Sequence, residues 1–473
     1  RSGPATATSL ASCWLILALL LSLPLHAAGP RPGYKWVATW AQAMTSNYSL
    51  PGRAAYEPWK PFDHHPPANV PSAANLTLRQ TVLVSIGGDR IRIRLSNRYG
   101  QEPLTVSGAH IALAARGTTQ SSAVAAASDR TLSFHGKTSV TLAPGHEATS
   151  DPVTLRTPAQ SRVVVSLYFA HETAFADVHR LEPTGTDVSA VVRGDAVAAP
   201  TFAGRKLLDV LGHDFRHHIY LLAGVDVLAP VSTRAIVAFG DSITDGAYAT
   251  TLSSSWPEVL AAIANNQPGG APVAVVNEGI NGNELTVDQI GRPGFGMSGV
   301  KRFEHDVIDQ PGVTDVIVLL GTNDINRGTG VAGYPVGASA DDIIDGLRML
   351  ADVAHRHHLR IYAGTIPPFA GFPIAGWYTP EKEIVREKVN HWILQTSSFD
   401  GVIPFATGLR GKYRPSRLAA AQRNPPPGLA SLCTADGGLH PNDRGYIIMG
   451  TLAYDTLFGR HLVAQAPCTG KTR

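Results

Sequence analysis

Near Pro230 the sequence changes rhythm, and that change restricts the possible folds more than any other feature. From Tyr34 to about Pro230 the pattern is β. Thr77–Ile86 and Arg90–Ser96 alternate apolar and polar residues, with Gly87-Gly88-Asp89 between them as a hairpin signal. In Ile91-Arg92-Ile93-Arg94-Leu95 the apolar side chains fall on one face and the arginines on the other, as a half-buried strand requires. Further runs at Thr138–Leu142, Val153–Arg156, Arg162–Phe169 and His218–Val227 are broken by Pro, Gly and Asp. Many short strands with turn signals predict an N-terminal β-sandwich over residues 34–230.

After Pro230, short apolar runs at Ala235–Phe239, Val273–Val276, Asp315–Leu320, Arg360–Gly364 and Gly401–Phe405 read as buried parallel strands. Helical segments separate them, at Trp256–Ala264, Asp341–His358 and Pro380–Thr396. The alternation predicts an α/β unit over 231–462, a doubly wound, flavodoxin-like parallel sheet of about five strands, with a tail at 463–473. Ligands of such sheets bind outside the carboxyl ends of the strands, so the chemistry is expected just after them.

Composition narrows the partners. The chain is 44% hydrophobic and 16% charged, with a formal net charge of +3 and no basic block. That is neither a disordered chain nor a nucleic-acid binder. An apolar run from Trp14 to Leu25, interrupted by Pro24, precedes the small residues Ala27-Ala28. It is short for a bilayer span, so residues 1–27 are expected to be a cleaved signal peptide, leaving a secreted or periplasmic protein with no membrane anchor. Leu10-Ala11-Ser12-Cys13 resembles a lipobox but comes before the apolar run instead of ending it. Cys13 leaves with that segment. Cys433 and Cys468 remain, and in an oxidising compartment they are expected either to bridge or to stay as two thiols. A bridge would close a loop of about 35 residues, worth roughly 3–4 kcal/mol on the chain-entropy model. Asn47-Tyr48-Ser49 and Asn75-Leu76-Thr77 are glycosylation sequons in a eukaryotic host.

Chemistry-bearing residues do follow the strands. Gly240-Asp241-Ser242-Ile243-Thr244-Asp245-Gly246 places Ser242 at a strand-to-helix turn, where a hydroxyl is accessible and a helix N-terminus favours negative charge. Asn277-Glu278-Gly279-Ile280-Asn281-Gly282-Asn283 is a loop whose backbone N–H groups can converge on an anion. Gly321-Thr322-Asn323-Asp324 offers a side-chain amide, and Asp436-Gly437-Gly438-Leu439-His440-Pro441-Asn442 a histidine with a carboxylate nearby. Acyl transfer needs a nucleophile, a base, an orienter for the base and an oxyanion hole, and these four segments can supply them. Read singly, Ser242 is a helix cap, Asn323 a loop amide and His440 a surface histidine; together those readings are weak. Asp241, Asp245 and Asp324 read as turn and capping residues. His64-His65, His217-His218 and the group His355, His357 and His358 lack metal-like spacing. Phe369, Phe372, Trp377 and Tyr378 either line an acyl or sugar pocket or simply pack.

With these blocks in this order, the sequence resembles the SGNH (GDSL-type) hydrolases. It is similar in particular to secreted members with an N-terminal β-domain, through Trp36-Val37-Ala38-Thr39-Trp40, Leu78-Arg79-Gln80, Arg94-Leu95-Ser96-Asn97-Arg98-Tyr99-Gly100, Gly364-Thr365-Ile366-Pro367-Pro368-Phe369 and His440-Pro441-Asn442-Asp443. The resemblance implies Ser242 as nucleophile, His440 as base, and an oxyanion hole of the Ser242 and Gly282 N–H groups with the Asn323 amide. It implies no metal and no organic cofactor. No GxSxG surrounds Ser242, which speaks against an α/β-hydrolase elbow. One departure stands out. The family's acid lies three residues before the histidine, where this chain has Gly437, and the nearest acid, Asp436, lies four before. Either Gly437-Gly438 bulges to deliver Asp436, the favoured reading, or a backbone carbonyl orients His440 and leaves a Ser–His dyad. The expected function is a secreted serine carboxylic-ester hydrolase acting through an acyl-enzyme on a small-molecule or polysaccharide ester. Acetyl or short acyl groups on a carbohydrate are the leading substrate. The rivals are a broad lipase or arylesterase and, in another class, a catalytically dead carbohydrate-binding protein.

Overall fold

The structure, a computed structural model, describes Gly3 and residues 32–47, 70–116, 122–180, 187–211, 215–288, 293–329, 337–412, 427–429 and 433–460. Apart from Gly3, the expected signal segment 1–27 lies outside the described residues, as does the tail 463–473.

Five strands after Pro230 form one parallel sheet: β1 (Arg234–Gly240), β2 (Val273–Gly279), β3 (Asp315–Leu319), β4 (Arg360–Gly364) and β5 (Gly401–Ile403), in the spatial order β2-β1-β3-β4-β5. The helices are α1 (Ser242–Asp245), α2 (Trp256–Asn265), α3 (Gly299–Phe303), α4 (Thr322–Asn326), α5 (Ala340–Arg356), α6 (Pro380–Gln395), α7 (Phe405–Leu409) and α8 (Asp443–Phe458). Apolar clusters fill both faces of the sheet, which explains why its strands read as continuous apolar runs. The fifth run is a shorter strand than its sequence suggests, because Phe405 opens α7. Among the described residues no helix is long and apolar enough to cross a membrane. The strand order reverses between β1 and β3, the point beyond whose carboxyl ends sheets of this kind bind their ligands.

The first half is built on two five-stranded antiparallel sheets around a shared core, with smaller two- and three-stranded sheets beside them. One orders Tyr34–Ala41, Leu222–Pro230 and Gly88–Asn97, with His146–Thr149 and Val153–Thr157 both paired to the last. The other orders Ser189–Arg193, Leu76–Leu83, Arg162–Phe169, Gly108–Leu113 and Arg130–Thr131. Ile91, Ile93 and Leu95 meet Leu78, Val82, Val163 and Val165 between them.

The hairpin expected at Gly87-Gly88-Asp89 is not formed. Leu76–Leu83 and Gly88–Asn97 lie in different sheets, so this segment carries the chain from one sheet to the other. The reason lies in Thr39, whose Oγ1 accepts from Ile86 N (2.9 Å) and donates to Ile86 O (2.8 Å). Ser85 N also bonds Thr39 O (2.8 Å), which pulls the end of the strand towards Tyr34–Ala41.

The two halves share a buried boundary. Ala38 and Ala41 pack with Val237, Phe239 and Val276, and Ala38 N donates to Pro311 O at 2.9 Å. Ser85 Oγ accepts from Val275 N at 3.1 Å, occupying an N–H on the edge strand β2. His179 reaches across with Nε2 3.0 Å from Asp245 Oδ1, at the end of the turn that starts with Ser242, while its Nδ1 meets Ala43 O at 2.8 Å. Burial works against a charged imidazole there. The Asp245 charge and the bonds to Asp245 and Ala43 outweigh it and hold His179 above its ordinary 6.5. A folded-state pKa above the unfolded one makes this contribution complete below pH 6.5 and lost as pH rises through the folded-state value. His179→Ala is therefore expected to cost about 3–5 kcal/mol in denaturant unfolding at pH 6, by stranding the buried Asp245. The deficit should shrink at alkaline pH.

Candidate active site

Ser242 opens α1 directly after β1. Asp241 caps that turn, its Oδ1 accepting from Ile243 N at 3.0 Å. The turn has only four residues, so the helix-dipole contribution expected from the sequence is small, and individual N–H groups must act instead. Asp241 is fully buried and burial pushes its carboxyl up to about 7; among the described residues its side chain meets Ile243 N and the Asn323 amide. Asp324 Oδ2 accepts from Leu285 N and its Oδ1 from Thr286 N and Oγ1, so it ties loops together as a turn residue does.

His440 arrives from the loop before α8. Its Nε2 is 2.9 Å from Ser242 Oγ, and its Nδ1 is 2.6 Å from Asp436 Oδ2. The four-residue offset is accommodated by the two glycines. Gly437 has φ +91°, and a Cβ at Gly438 would lie 2.3 Å from Phe372 N. Asp436 Oδ1 then accepts from three consecutive N–H groups, those of Gly438 (3.1 Å), Leu439 (2.9 Å) and His440 (3.1 Å). Burial raises the Asp436 carboxyl, but the His440 bond and charge and these N–H groups outweigh it and hold the carboxyl below its ordinary 3.8. A carboxylate, not a backbone carbonyl, faces Nδ1.

The loop is anchored at its base. Cys433 is fully buried and disulfide-bonded, and its carbonyl accepts from Asn442 N at 3.0 Å. The expected partner, Cys468, lies outside the described residues. Asp443, at the start of α8, accepts from Thr250 N (2.9 Å) and Oγ1, and Tyr446 Oη donates to Ala247 O (2.7 Å). Serine loop and histidine loop are thus clamped together from outside the Ser242–His440 contact.

Gly282 follows β2 with φ +73°, and a Cβ there would lie 2.7 Å from the Phe295 ring, so only glycine fits beneath that ring. Asn323 is the second residue of α4, the short helix that follows β3, and its Nδ2 donates to Asn283 O at 2.9 Å with Asp241 Oδ2 at 3.5 Å. Every expected site residue described therefore lies at the carboxyl end of the sheet or in the loop that closes over it.

Sequence reading missed three contributors. Tyr248, at φ +67° and 40% exposed, lies 5.4 Å from the His440 ring, and nothing in its composition marks it. Arg302 and Asn283 are buried among the loops and look like ordinary helix and turn residues in sequence. Of the aromatic loop, Phe369 and Trp377 join the core, while Phe372 stands edge-on to His440 at 6.0 Å.

Residues 238–448 match the sequence model of the GDSL-like Lipase/Acylhydrolase family. No curated protein sequence matches the chain at a significant level. Among solved structures, the chain is similar to a GDSL-like lipase from Bacteroides thetaiotaomicron, at 18% identity over 46% of this chain and 85% of that one, with TM-score 0.32. It is also similar to a carbohydrate acetylesterase from Sinorhizobium meliloti, at 16% identity over 47% and 97%, with TM-score 0.35. An aryl esterase of M. smegmatis aligns at 15% identity over 47% and 97%, with TM-score 0.35.

Proposed function

We propose that this chain, which carries a GDSL-like lipase/acylhydrolase domain and is a hydrolytic enzyme of the SGNH type, is a secreted serine esterase that removes acetyl or other short acyl groups from a carbohydrate. The observation that carries the mechanism is the continuous hydrogen-bonded chain Ser242–His440–Asp436. In this reading Ser242 Oγ attacks the ester carbonyl while His440 Nε2 takes its proton. Asp436 holds Nδ1–H and stabilises the imidazolium that forms. The Ser242 and Gly282 N–H groups and the Asn323 amide receive the oxyanion. Collapse of the tetrahedral species breaks the ester bond, and His440 returns the proton to the leaving alcohol. Water, activated by the same histidine, then cleaves the acyl-enzyme and restores Ser242.

Export is supported by the apolar run at Trp14–Leu25 and by the disulfide on Cys433, a bond typical of oxidising compartments. The division near Pro230 gives a β-half whose buried contacts suit a permanent partner of the catalytic half better than a freely tethered module. A carbohydrate alcohol is supported by Tyr248, whose exposed ring beside His440 offers the flat apolar face on which sugar rings stack.

The substrate reading is tested with p-nitrophenyl esters of increasing acyl length alongside acetylated xylan, with Ser242→Ala as blank. We expect kcat/KM to fall at least about tenfold from acetyl to octanoyl, with acetate released from the polymer. A profile that rises with chain length, without acetate release, would move the assignment to a lipase or arylesterase.

A further inference from the structure

Two of the three proposed oxyanion donors, the Gly282 N–H and the Asn323 amide, depend on one buried side chain that acts on them through Asn283. Arg302, on α3, is 1% exposed, and its guanidinium lies 4.0 Å from the Phe239 ring centroid. Its Nη2 donates to Gly240 O (2.9 Å), at the end of β1 two residues before Ser242. Its Nη1 donates to Glu278 O (2.9 Å), near the end of β2, and to Asp306 Oδ2 (3.0 Å). Its Nε donates to Asn283 Oδ1 (3.0 Å). One planar cation thus joins the ends of two strands to the loop between Gly282 and α3, with a carboxylate neutralising it from behind.

Asn283 passes this restraint on. Its Nδ2 donates to Phe295 O and Met297 O, both at 2.8 Å, so the Phe295 ring that covers Gly282 is held by the same residue. Its N–H bonds Ile280 O (3.1 Å), which closes the tight turn containing Gly282. Its carbonyl accepts from Asn323 Nδ2 (2.9 Å), fixing the rotation of the amide proposed to face the oxyanion. Gly282 N–H and the Asn323 amide are therefore both set by Asn283, and Asn283 is set by Arg302.

We infer that Arg302, acting through Asn283, is a positioning residue that holds the oxyanion donors in register with Ser242. The inference rests on the reading of Ser242, Gly282 and Asn323 given above. The anchor behind it extends into the β-half. Asp306 Oδ1 is 2.6 Å from His305 Nδ1 and 3.7 Å from Arg98 Nη1, and His305 Nε2 is 3.2 Å from Glu147 Oε1. Arg98 and Glu147 belong to the sandwich, so that half braces the oxyanion loop from beneath.

The test is Arg302→Lys, which keeps the charge for Asp306 but cannot bond Gly240, Glu278 and Asn283 together. For the folded variant, judged by its melting transition, kcat on p-nitrophenyl acetate should fall about a hundredfold with KM within about threefold of wild type. Asn323→Ala should then cost far less in the Arg302→Lys background than in wild type, because the amide is already out of register. A purely structural role predicts the same factor in both backgrounds. If Arg302→Lys does not fold, Asn283→Asp decides, since it keeps the acceptor for Arg302 and loses the donors to Phe295 and Met297. The same kcat-specific loss supports the inference. Wild-type kcat in a folded variant, or an undiminished Asn323→Ala effect, overturns it. Ser242→Ala with wild-type turnover would overturn the site reading instead, which keeps the two failures distinct.

Discussion

Ser242→Ala is expected to lower kcat by about a millionfold while leaving the melting temperature almost unchanged. The size follows from the chemistry, because without Oγ there is no acyl-enzyme and the His440–Asp436 pair has no proton to take. What remains is attack by water in a site that still binds substrate and offers oxyanion donors, a residual of roughly a thousandfold or more over solution. Stability should hold, since Asp241 and not Ser242 caps the turn, and alanine suits the first helical position. Hydrolysis of p-nitrophenyl acetate, read beside a melting curve, measures both halves of the expectation.

Asp436→Asn should cost about ten-thousandfold in kcat, and the physical reason differs. The amide oxygen can still accept from the N–H groups of Gly438, Leu439 and His440, so the loop keeps its shape. The amide nitrogen, however, would face Nδ1 as a donor. The imidazole must then carry its proton on Nε2, pointing at Ser242 Oγ, where it cannot act as a base. Asp436→Ala removes the loop acceptor as well and should lower both kcat, by at least about a hundredfold, and stability. The pH signature separates the variants. Asp436 is held below 3.8 in the folded protein, so its contribution to stability is full above that value and fades as pH falls through the folded-state pKa. Wild type should lose this contribution on acidification below about pH 3.8; Asp436→Asn has none to lose.

Much of the site was legible because a parallel sheet delivers its chemistry in chain order. Each apolar run ends in a short polar block, and Ser242, Gly282 and Asn323 follow three successive strands of the sheet. Asp436 was readable only as one of two options, since the distinction depends on how Gly437 and Gly438 turn. What was not legible is long-range. The alternating runs around Gly87-Gly88 are correct as strands, yet their partners are set by Thr39, nearly fifty residues upstream. His179 and Asp245 lie in separate halves, and neither has a neighbour in sequence that hints at the other. Arg302 sits in a five-residue helix that runs on into a wider π turn at Glu304–Ile308, a stretch with too little periodicity to reveal which face is buried. Local periodicity reports burial; it does not report which distant group a buried charge will meet.

The proposed mechanism passes through a covalent acyl group on Ser242, which intact mass measurement after mixing with an activated acyl ester at acidic pH would detect. A single added acyl group is expected, mapped by peptide digestion to the segment containing Ser242 and absent from Ser242→Ala. Turnover of the ester with no adduct on Ser242, or an adduct that persists in Ser242→Ala, would contradict it.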